Sequence, residues 1–383
     1  MIRRVHVVNL VRKLTLTTAF FLAPLYFLKL GFNGLQIGLI VSCYSFAPIV
    51  FSFPTGWMND RLSMKRVILA ALLAQGLLFV LIGQTRNAGL MALIFLFVGI
   101  ANNALDVSTN SLYYKDDTDR NPNKKYGIYN FWLAVGPPVG LVIGGILTLT
   151  SGYRTLLAVF AVFMAFSTLA LRGFGREKFS IVTIREYRSN ILRKRTLAFS
   201  AFLFVLALHW GVEGTVYSPF IKSRFGLNDF QAALYLALAY VGLALGSLAV
   251  SRLPFRPDGN RRLLLLGMTL SGLGHILMVQ DDVRLSFIFR FVHEAGDGLM
   301  GALVLLTISR LFEKRTIGGS AGLLMSIQTA GLMTGAMAFS SLGYRAGLQY
   351  PFFVSGALLV ADAVFGLYAL PREDGQAEPS VLA

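Results

Sequence analysis

The chain has 383 residues, of which 55% are hydrophobic and only 14% are charged, with a net charge of +16 and a mean hydropathy of +0.64. Soluble domains carry about 25% charged residues, so this composition excludes a water-soluble enzyme and a disordered chain. The single cysteine, Cys43, excludes an internal disulfide and a cysteine-based metal cluster.

Twelve apolar segments follow one another along the chain. A helix that crosses about 30 Å of hydrocarbon needs roughly 20 mainly apolar residues, and each segment is close to that length. The sequence therefore predicts an all-α integral membrane protein with twelve transmembrane helices. The predicted spans are 9–31, 34–58, 64–84, 89–112, 124–149, 153–172, 197–221, 229–253, 261–280, 284–310, 317–342 and 350–370.

The one long connection, 173–196, divides the chain into two halves and is rich in arginine and lysine. It predicts an N-terminal six-helix bundle over 1–172, a cytoplasmic basic linker over 173–196, a second bundle over 197–370 and a cytoplasmic tail over 371–383. Within the linker, Ile184, Tyr187 and Ile191 recur at helical spacing. They are compatible with an amphipathic helix on the membrane surface and equally with a solvated linker.

The distribution of basic residues predicts the orientation. With twelve spans both termini share one side, and that side collects 27 of the 35 lysines and arginines, against seven on the other and Arg290 within a span. Because basic loops stay in the cytoplasm, we expect both termini to be cytoplasmic. We expect a multi-pass protein of the cell membrane, namely the inner membrane of a bacterium. The positive charge is then a topology signal, and it requires membrane lipid as a partner but no nucleic acid.

The two halves also resemble each other in sequence. A shift of 191 residues places Asp106 on Asp297 and the tripeptide at 152–154 on that at 343–345, and it superimposes three spaced glycines. Nearer the start, a shift of 195 aligns residues 30–33 with 225–228. Six spans per half preserve orientation, so the repeat is parallel and predicts two pseudo-symmetric six-helix bundles. Transporters built in this way bind their substrate between the halves, near the middle of the bilayer.

On these features the chain resembles the major facilitator superfamily over nearly its whole length. The loop at 56–66 reads Gly-Trp-Met-Asn-Asp-Arg-Leu-Ser-Met-Lys-Arg and is similar to the family's motif G-x-x-x-D-R-x-G-x-K/R-K/R, with Ser63 in place of a glycine. The resemblance implies that this loop holds the halves together on the cytoplasmic side, with Asp60 against the start of the eleventh helix near 318–320. Alternatively, its basic residues are only topology signals. The motif residues are Gly56, Asp60, Arg61, Lys65 and Arg66.

The fifth segment is similar to the glycine motif of the family's antiporters. The motif's proline position is Leu141, whereas Pro137 and Pro138 come one turn earlier. The resemblance implies a tight bend typical of exporters, and glycine-mediated helix packing is the alternative. The motif residues are Gly127, Gly136, Gly140, Gly144 and Gly145.

Charged residues inside the apolar segments mark candidate functional positions, because each costs about 2.5–3.5 kcal/mol at the bilayer centre. In the tenth segment Arg290, Glu294 and Asp297 lie on one helix face. We expect Glu213 and Glu294 to carry a transported proton, since burial can raise the pKa of a carboxyl group into the physiological range. Asp297 is a third candidate, although Arg290 could instead hold it ionised. In a purely structural alternative, Arg290, Glu294 and Asp297 only neutralise one another.

Further polar residues are candidates for the substrate cavity. The resemblance implies that the first, fourth, seventh and tenth helices line it. Many proton-coupled members carry an arginine in the fourth helix, and residues 99–106 contain none. Asp106, in the same helix, is expected to form a structural or gating ion pair with a basic residue of the first span. The candidates are Thr18, Asn102, Asn103, Asp106, Asn110, His209, Tyr217, Arg290 and His293.

These features predict a monomeric secondary transporter without a cofactor, whose partners are a small-molecule substrate and protons. No nucleotide-binding or hydrolase motif is present in the sequence, so an enzyme is not expected. The preferred activity is proton-coupled export of a small amphipathic organic compound. The alternatives are proton-coupled uptake of a polar metabolite such as a sugar or organic acid, a transporter-like sensor, and a divalent-metal transporter that uses His209, Glu213, His293, Glu294 and Asp297.

Overall fold

The computed structural model describes residues 2–116, 121–172 and 182–370, and the predicted tail at 371–383 lies outside them. The described residues form helices and no strand, and each of the twelve predicted segments coincides with helical structure, which confirms the predicted fold class. The helices are α1 (Ile2–Lys29), α2 (Gly34–Arg61), α3 (Met64–Gln84), α4 (Ala88–Lys115), α5 (Pro122–Ser167), α6 (Ile184–Ile191), α7 (Lys194–Val212), α8 (Ser218–Phe225), α9 (Asp229–Arg252), α10 (Pro257–Leu277), α11 (Val283–Leu311), α12 (Ile317–Ala346) and α13 (Tyr350–Ala369).

Helix α5 contains two of the predicted segments. It turns at Gly152, whose φ of +81° lies in the left-handed region that favours glycine. Before the turn α5 runs beside α1, and after it the Tyr153 hydroxyl donates to the carbonyl of Ala19 at 2.7 Å, so the chain returns along the same helix. Ten described helices are long and apolar enough to cross a membrane, with α5 counted once and the more polar α10 not among them.

The internal repeat is visible in the helix ends. Asn33 and Asn228, which the shift of 195 residues aligns, each cap the start of a helix and form a reciprocal capping box with the glutamine three residues later. The glycines before them, Gly31 and Gly226, both have positive φ values of 83° and 63°. Equivalent residues therefore start equivalent helices, α2 and α9, in the two halves.

The halves meet where α2 packs on α12 and where α5 packs on α9. A methyl group at Gly56 would lie 2.1 Å from the carbonyl oxygen of Gly318, and one at Gly127 would lie 2.7 Å from that of Ser247. The glycines thus allow the backbones of opposite halves to touch. Both contacts lie at the end of the bundle that also holds the start of α1 and the end of α4, which we call the closed end.

The linker that joins the halves forms a short helix at this closed end. Residues 173–181 lie outside the described ranges, and α6 follows them. Tyr187 on α6 is 1% exposed, and its ring lies against Gly319 of α12. The helix is therefore docked onto protein, which differs from both a membrane-surface helix and a solvated linker, because its aromatic side chain finds a groove between α2 and α12.

Candidate functional site

A cavity of about 480 Å³ lies between the two halves. This volume is within the range of small-molecule sites. Its wall is formed by α1, α4 and α5 of one half and by α9, α11, α12 and the helix that begins with α7 of the other. The polar residues of the wall are Lys13, Thr17, Asp106, Asn110, Tyr114, Asn130, Glu213, Tyr240, Glu294, Asp297 and Gln328.

The predicted proton-coupling residues Glu213, Glu294 and Asp297 all line this cavity, as do the predicted cavity residues Asp106 and Asn110. The other predicted cavity residues lie behind the wall, and that part of the prediction needs correction, because a helix face alone does not say which neighbour covers it. They are Thr18, Asn102, Asn103, His209, Tyr217, Arg290 and His293.

Two of these corrections show the physical reason. Thr18 is buried against α5, where a methyl group at Gly144 would lie 2.2 Å from its Cγ2. Asn103 is 1% exposed and accepts a hydrogen bond of 2.6 Å from the hydroxyl of Ser52 on α2. Both side chains therefore join helices of the N-terminal half.

Arg290 on α11 is the centre of a buried cluster in the C-terminal half. Its guanidinium donates to Glu213 Oε1 at 3.0 Å and, one helical turn away, to Glu294 Oε1. It also lies 4.3 Å above the ring of Tyr217. Arg290 makes no ion pair with Asp297 in the described structure, so the expectation that it holds Asp297 ionised is not what the geometry shows.

His293 links Glu213 to Ser271. Its Nδ1 lies 2.8 Å from the Ser271 carbonyl oxygen and 2.9 Å from the Ser271 hydroxyl, which donates its only hydrogen to Asp297 at 2.6 Å. Nδ1 therefore meets only acceptors and must carry a hydrogen. Its Nε2 lies 2.6 Å from Glu213 Oε1, and this contact requires one more proton, on the imidazole or on the carboxyl group.

Asp297 and His209 repeat this arrangement. His209 Nδ1 donates to the carbonyl of Leu206, and its Nε2 lies 3.3 Å from Asp297 Oδ2. Because Nδ1 already carries the hydrogen of a neutral imidazole, the contact with Asp297 again requires one more proton. Trp210 Nε1 donates to the same carboxylate oxygen at 3.0 Å.

The net charge of these buried side chains also indicates two extra protons, the number that the hydrogen bonds of His293 and His209 require. With neutral histidines, the single guanidinium of Arg290 faces three carboxylates, and Arg290, Glu294 and Asp297 are 2%, 2% and 7% exposed. A net charge of this kind is costly in the interior of a membrane protein. The two protons required by the hydrogen bonds bring the cluster to neutrality. We call the seven residues the acid–histidine cluster: His209, Glu213, His275, Arg290, His293, Glu294 and Asp297.

His275 on α10 was not among the predicted site residues, yet it belongs to this cluster. Its ring stacks on that of His293, with ring centres 4.1 Å apart, and its Nε2 lies 3.8 Å from Glu213 Oε1. The two helices approach closely at Gly274, where a methyl group would lie 2.7 Å from the backbone nitrogen of His293. The glycine beside His275 is the only signal in the sequence that could have suggested this contact.

In the N-terminal half, Arg12 on α1 forms the ion pair expected for Asp106. Its Nη2 lies 2.9 Å from Asp106 Oδ1, and its Nη1 donates to Asn102 at 3.1 Å. The amide of Asn102 then donates to the hydroxyl of Tyr44 at 3.0 Å. The neighbouring Lys13 lines the cavity and makes no ion pair or hydrogen bond with another described residue.

At the closed end, Asp60 is fully buried and joins both halves. Its carboxylate accepts hydrogen bonds from the backbone nitrogens of Gly318 and Gly319, at 3.0 and 2.8 Å, where α12 begins. The Lys115 ammonium lies 2.8 Å from the same carboxylate. An anion is stabilised at a helix N-terminus, and the structure thus places Asp60 where the sequence motif suggested.

Helix α6 adds to this junction. The hydroxyl of Tyr187 donates to Asp60 Oδ2 at 2.8 Å, and burial, followed by the charge of Asp60, raises the pKa of Tyr187. Asn190 donates to the hydroxyls of Thr316 and Ser320 at 3.1 and 3.4 Å. The linker helix therefore fastens the start of α12 to the Asp60 region.

The remaining motif residues of this loop have unequal positions. Gly56 contacts Gly318 directly, whereas Arg61 stacks on Trp57 at 4.5 Å and donates to the carbonyl of Val182 in the linker. The backbone nitrogen of Arg66 donates to the hydroxyl of Ser63 at 3.4 Å, so that Ser63 caps the start of α3. Among the described residues, Arg66 makes no side-chain hydrogen bond or ion pair with the opposite half, and Lys65 interacts with other residues of the chain.

The glycine motif of α5 packs mainly on α1. A methyl group at Gly140 would lie 2.2 Å from the carbonyl oxygen of Leu14, and one at Gly136 would lie 2.7 Å from Cβ of Lys13. Gly127 packs on α9 of the other half, whereas a methyl group at Gly145 would meet nothing within 4 Å. Four of the five glycines therefore permit close helix contacts.

Four members of the acid–histidine cluster also offer possible ligands for a metal ion. One ligand atom each from His209, Glu213, His293 and Asp297 lies within 4.8 Å of the others. However, these atoms already form hydrogen bonds among themselves, and the guanidinium of Arg290 occupies the same oxygen of Glu213. The positive charge of the Arg290 guanidinium would repel a divalent cation bound here, so the cluster is better suited to bind protons than a metal ion.

Comparisons with known proteins agree with this architecture. The sequence profile of the Major Facilitator Superfamily matches residues 7–258 and again 199–382. A protein of Cupriavidus necator named probable sulfoacetate transporter SauU is 26% identical, with 91% of this chain and 88% of that protein covered. The multidrug resistance protein MdtG of a Rahnella species is 24% identical, with 92% and 89% covered.

The fold also matches solved structures. The human organic anion transporter MFSD10 superposes with a TM-score of 0.80 at 16% identity, with 95% of this chain and 98% of that chain covered. At this identity the likeness concerns the fold alone. Two pseudo-symmetric bundles around one central cavity are therefore shared with a solved membrane transporter.

Proposed function

Because the chain belongs to the Major Facilitator Superfamily and is a membrane transporter of the secondary class, we propose that it moves a small organic solute by alternating access and couples this movement to protons. The preferred direction is export. The proton sites are the Glu213–His293 and Asp297–His209 pairs of the acid–histidine cluster.

The single observation that supports proton coupling is the short contact between Glu213 and His293. The short distances around both ring nitrogens of His293 support one proton on the pair beyond that of a neutral imidazole. Glu213 lines the cavity, so a proton held there can exchange with water or substrate. Among the described residues, the Glu294 side chain forms a hydrogen bond only with Arg290, and the geometry therefore favours Glu213 and Asp297 over Glu294 as proton carriers.

The closed end supplies the second part of the mechanism. The basic residues surrounding it support a cytoplasmic location, and in that orientation the described conformation is closed toward the cell interior. Opening this end must break the contacts of Asp60 with Gly318 and Gly319 and release Tyr187. The two halves then rock about the cavity, in which substrate and protons are exposed to one side at a time.

The direction of transport rests on a weaker observation than its coupling. The close packing of Gly136 and Gly140 on α1 fits the tight bend typical of exporters, and one relative is named a multidrug resistance protein. A second candidate is proton-coupled uptake of a polar metabolite. It is favoured by the polar cavity residues Lys13, Asn110 and Gln328 and by the relative named for sulfoacetate.

Transport in proteoliposomes tests this proposal. Purified protein is reconstituted with a trapped pH indicator, and sulfoacetate and a panel of amphipathic drugs are supplied in turn while the pH gradient is set in either direction. Proton coupling predicts that an accepted compound accumulates against its own gradient and that the indicator records a proton flux. Antiport of protons and substrate supports export, and symport supports uptake.

Two outcomes would oppose the proposal. Compounds that bind but never cross the membrane would indicate a sensor. Accumulation that ignores the pH gradient would indicate a transporter that is not coupled to protons.

A further inference from the structure

The strongest further feature is Lys13, a cationic side chain in the wall of a membrane-embedded cavity. Its backbone position is set by α5, because Gly136 allows that helix to lie directly against its Cβ. The ammonium group lies on the N-terminal half, whereas the acid–histidine cluster forms part of the wall on the other half. The two sides of the cavity therefore have different charges.

The N-terminal wall contains one positive charge too many. Among the described residues of this wall, Asp106 is the one carboxylate, and Arg12 pairs with it at 2.9 Å. Lys13 is left without an ion-pair partner among the described residues, and it lies at membrane depth, where an isolated charge is costly unless it is paired. A ligand that carries a negative charge would neutralise it.

Neighbouring side chains supply hydrogen-bond donors suited to an oxyanion. Asn110 uses its carbonyl oxygen as the acceptor for the Tyr129 hydroxyl at 2.5 Å, so its amide group is left with only a sulfur contact of 4.0 Å to Met325. Thr17 and Gln328 also line the cavity, and neither makes a side-chain hydrogen bond with another described residue. A carboxylate or a related oxyanion accepts bonds from such groups and from a lysine ammonium.

We propose that Lys13 binds the acidic group of the transported compound, so that the substrate is a small organic acid. This inference rests on the proposed transport function and names its substrate class. The opposite wall is compatible with an anion when the acid–histidine cluster holds its two protons and is neutral. Protonation of that cluster would therefore prepare the cavity for the acid.

Binding of matched acids and amides tests this assignment. Succinate and benzoate are compared with succinamide and benzamide, which have nearly the same shape without the charge, by titration of the thermal unfolding of purified protein. We expect at least one acid to bind about tenfold more tightly than its amide, since a hydrogen bond to a charged group is worth this much. Equal binding of the acids and their amides would contradict the inference.

Three variants locate the site. Lys13→Gln should abolish the preference for the acid, and Lys13→Arg should keep most of it, which shows that the fold is intact. Lys29→Gln removes an exposed lysine from the other end of the same helix and should change nothing. A preference for the acid that persists in Lys13→Gln would overturn the assignment of Lys13.

A transport measurement separates this inference from the proposed function. If the bound acid requires Lys13 but does not accumulate in a pH gradient, the substrate class stands and proton-coupled transport fails. If accumulation driven by the gradient persists unchanged in Lys13→Gln, proton coupling stands and the role of Lys13 is refuted.

Discussion

The replacement Asp60→Asn should open the closed end of the transporter. Asparagine keeps one acceptor oxygen, but it places an amide NH2 where the second carboxylate oxygen accepts a hydrogen bond from the backbone nitrogen of Gly319. It also removes the ion pair with Lys115. Asp60 is fully buried, and breaking a buried ion pair costs about 3–5 kcal/mol. Since only the closed conformation makes these contacts, a loss of about 3 kcal/mol would favour opening by about a hundredfold.

The assay measures access to a cysteine at the interface. Ser320 is 1% exposed at the start of α12, so Ser320→Cys in a Cys43→Ser background should react slowly with a bulky thiol reagent. Asp60→Asn should raise this rate by about a hundredfold. Asp258→Asn, which removes an exposed carboxylate from the start of α10, is the matched control and should leave the rate unchanged.

The thermal unfolding temperature is recorded in parallel. An unchanged labelling rate in a well-folded Asp60→Asn protein would refute the reasoning, because Asp60 would then contribute nothing to closure. A large fall in unfolding temperature without faster labelling would assign it a purely structural role.

Three further predictions follow from the same structure. Tyr187→Phe removes one hydrogen bond to Asp60, worth about 0.5–1.5 kcal/mol, and should raise the Ser320→Cys labelling rate by about two- to tenfold; no increase would mean that α6 does not hold the closed end. Gly140→Ala should lower the unfolding temperature and transport, because its methyl group would lie 2.2 Å from the Leu14 carbonyl, whereas Gly145→Ala should be neutral, and equal effects would contradict the packing argument. Single cysteines that replace Lys29, Arg154 or Arg345, at predicted outer positions, should react with impermeant reagents added outside intact cells. Labelling only from the cytoplasm would contradict the predicted orientation.

Hydropathy and helix periodicity were sufficient for much of the fold. They predicted the segments that every α-helix except α6 contains. A transmembrane helix forms its backbone hydrogen bonds within one segment, so the local sequence is enough to locate it. The position of Asp60 was also predictable, since the motif and the glycines at the start of α12 are both visible in the sequence. The sequence pattern could not show that α6 docks onto these residues, because that contact depends on a groove between two distant helices.

The pairing within the acid–histidine cluster could not be predicted in the same way. Helical spacing correctly places Arg290 and Glu294 on one face, but it also suggested Asp297 as a partner of that arginine. In the structure Arg290 reaches across to Glu213, and Asp297 is held by Ser271 and by residues that precede Glu213. Such contacts between helices depend on their rotation and separation, which glycines such as Gly274 set.

The cavity wall of the N-terminal half illustrates the same limit. Polarity and the resemblance to the family suggested Asn102 and Asn103 as cavity residues, but their side chains accept hydrogen bonds from Arg12 and Ser52 behind the wall. Lys13 was not among the predicted cavity residues. In the structure it lines the cavity, whereas its neighbour Arg12 pairs with Asp106.

The central claim is that Glu213 holds the transported proton, and the variant Glu213→Gln tests it most directly. Glutamine has the size and the neutral charge of the protonated carboxyl group, and its amide oxygen can still accept from Arg290, so the cluster should remain folded. Driven transport and counterflow are compared in the same proteoliposomes, with Glu313→Gln, at an exposed carboxylate, as the control. The account predicts that Glu213→Gln loses accumulation driven by the pH gradient but keeps counterflow, and full accumulation in this variant would contradict it.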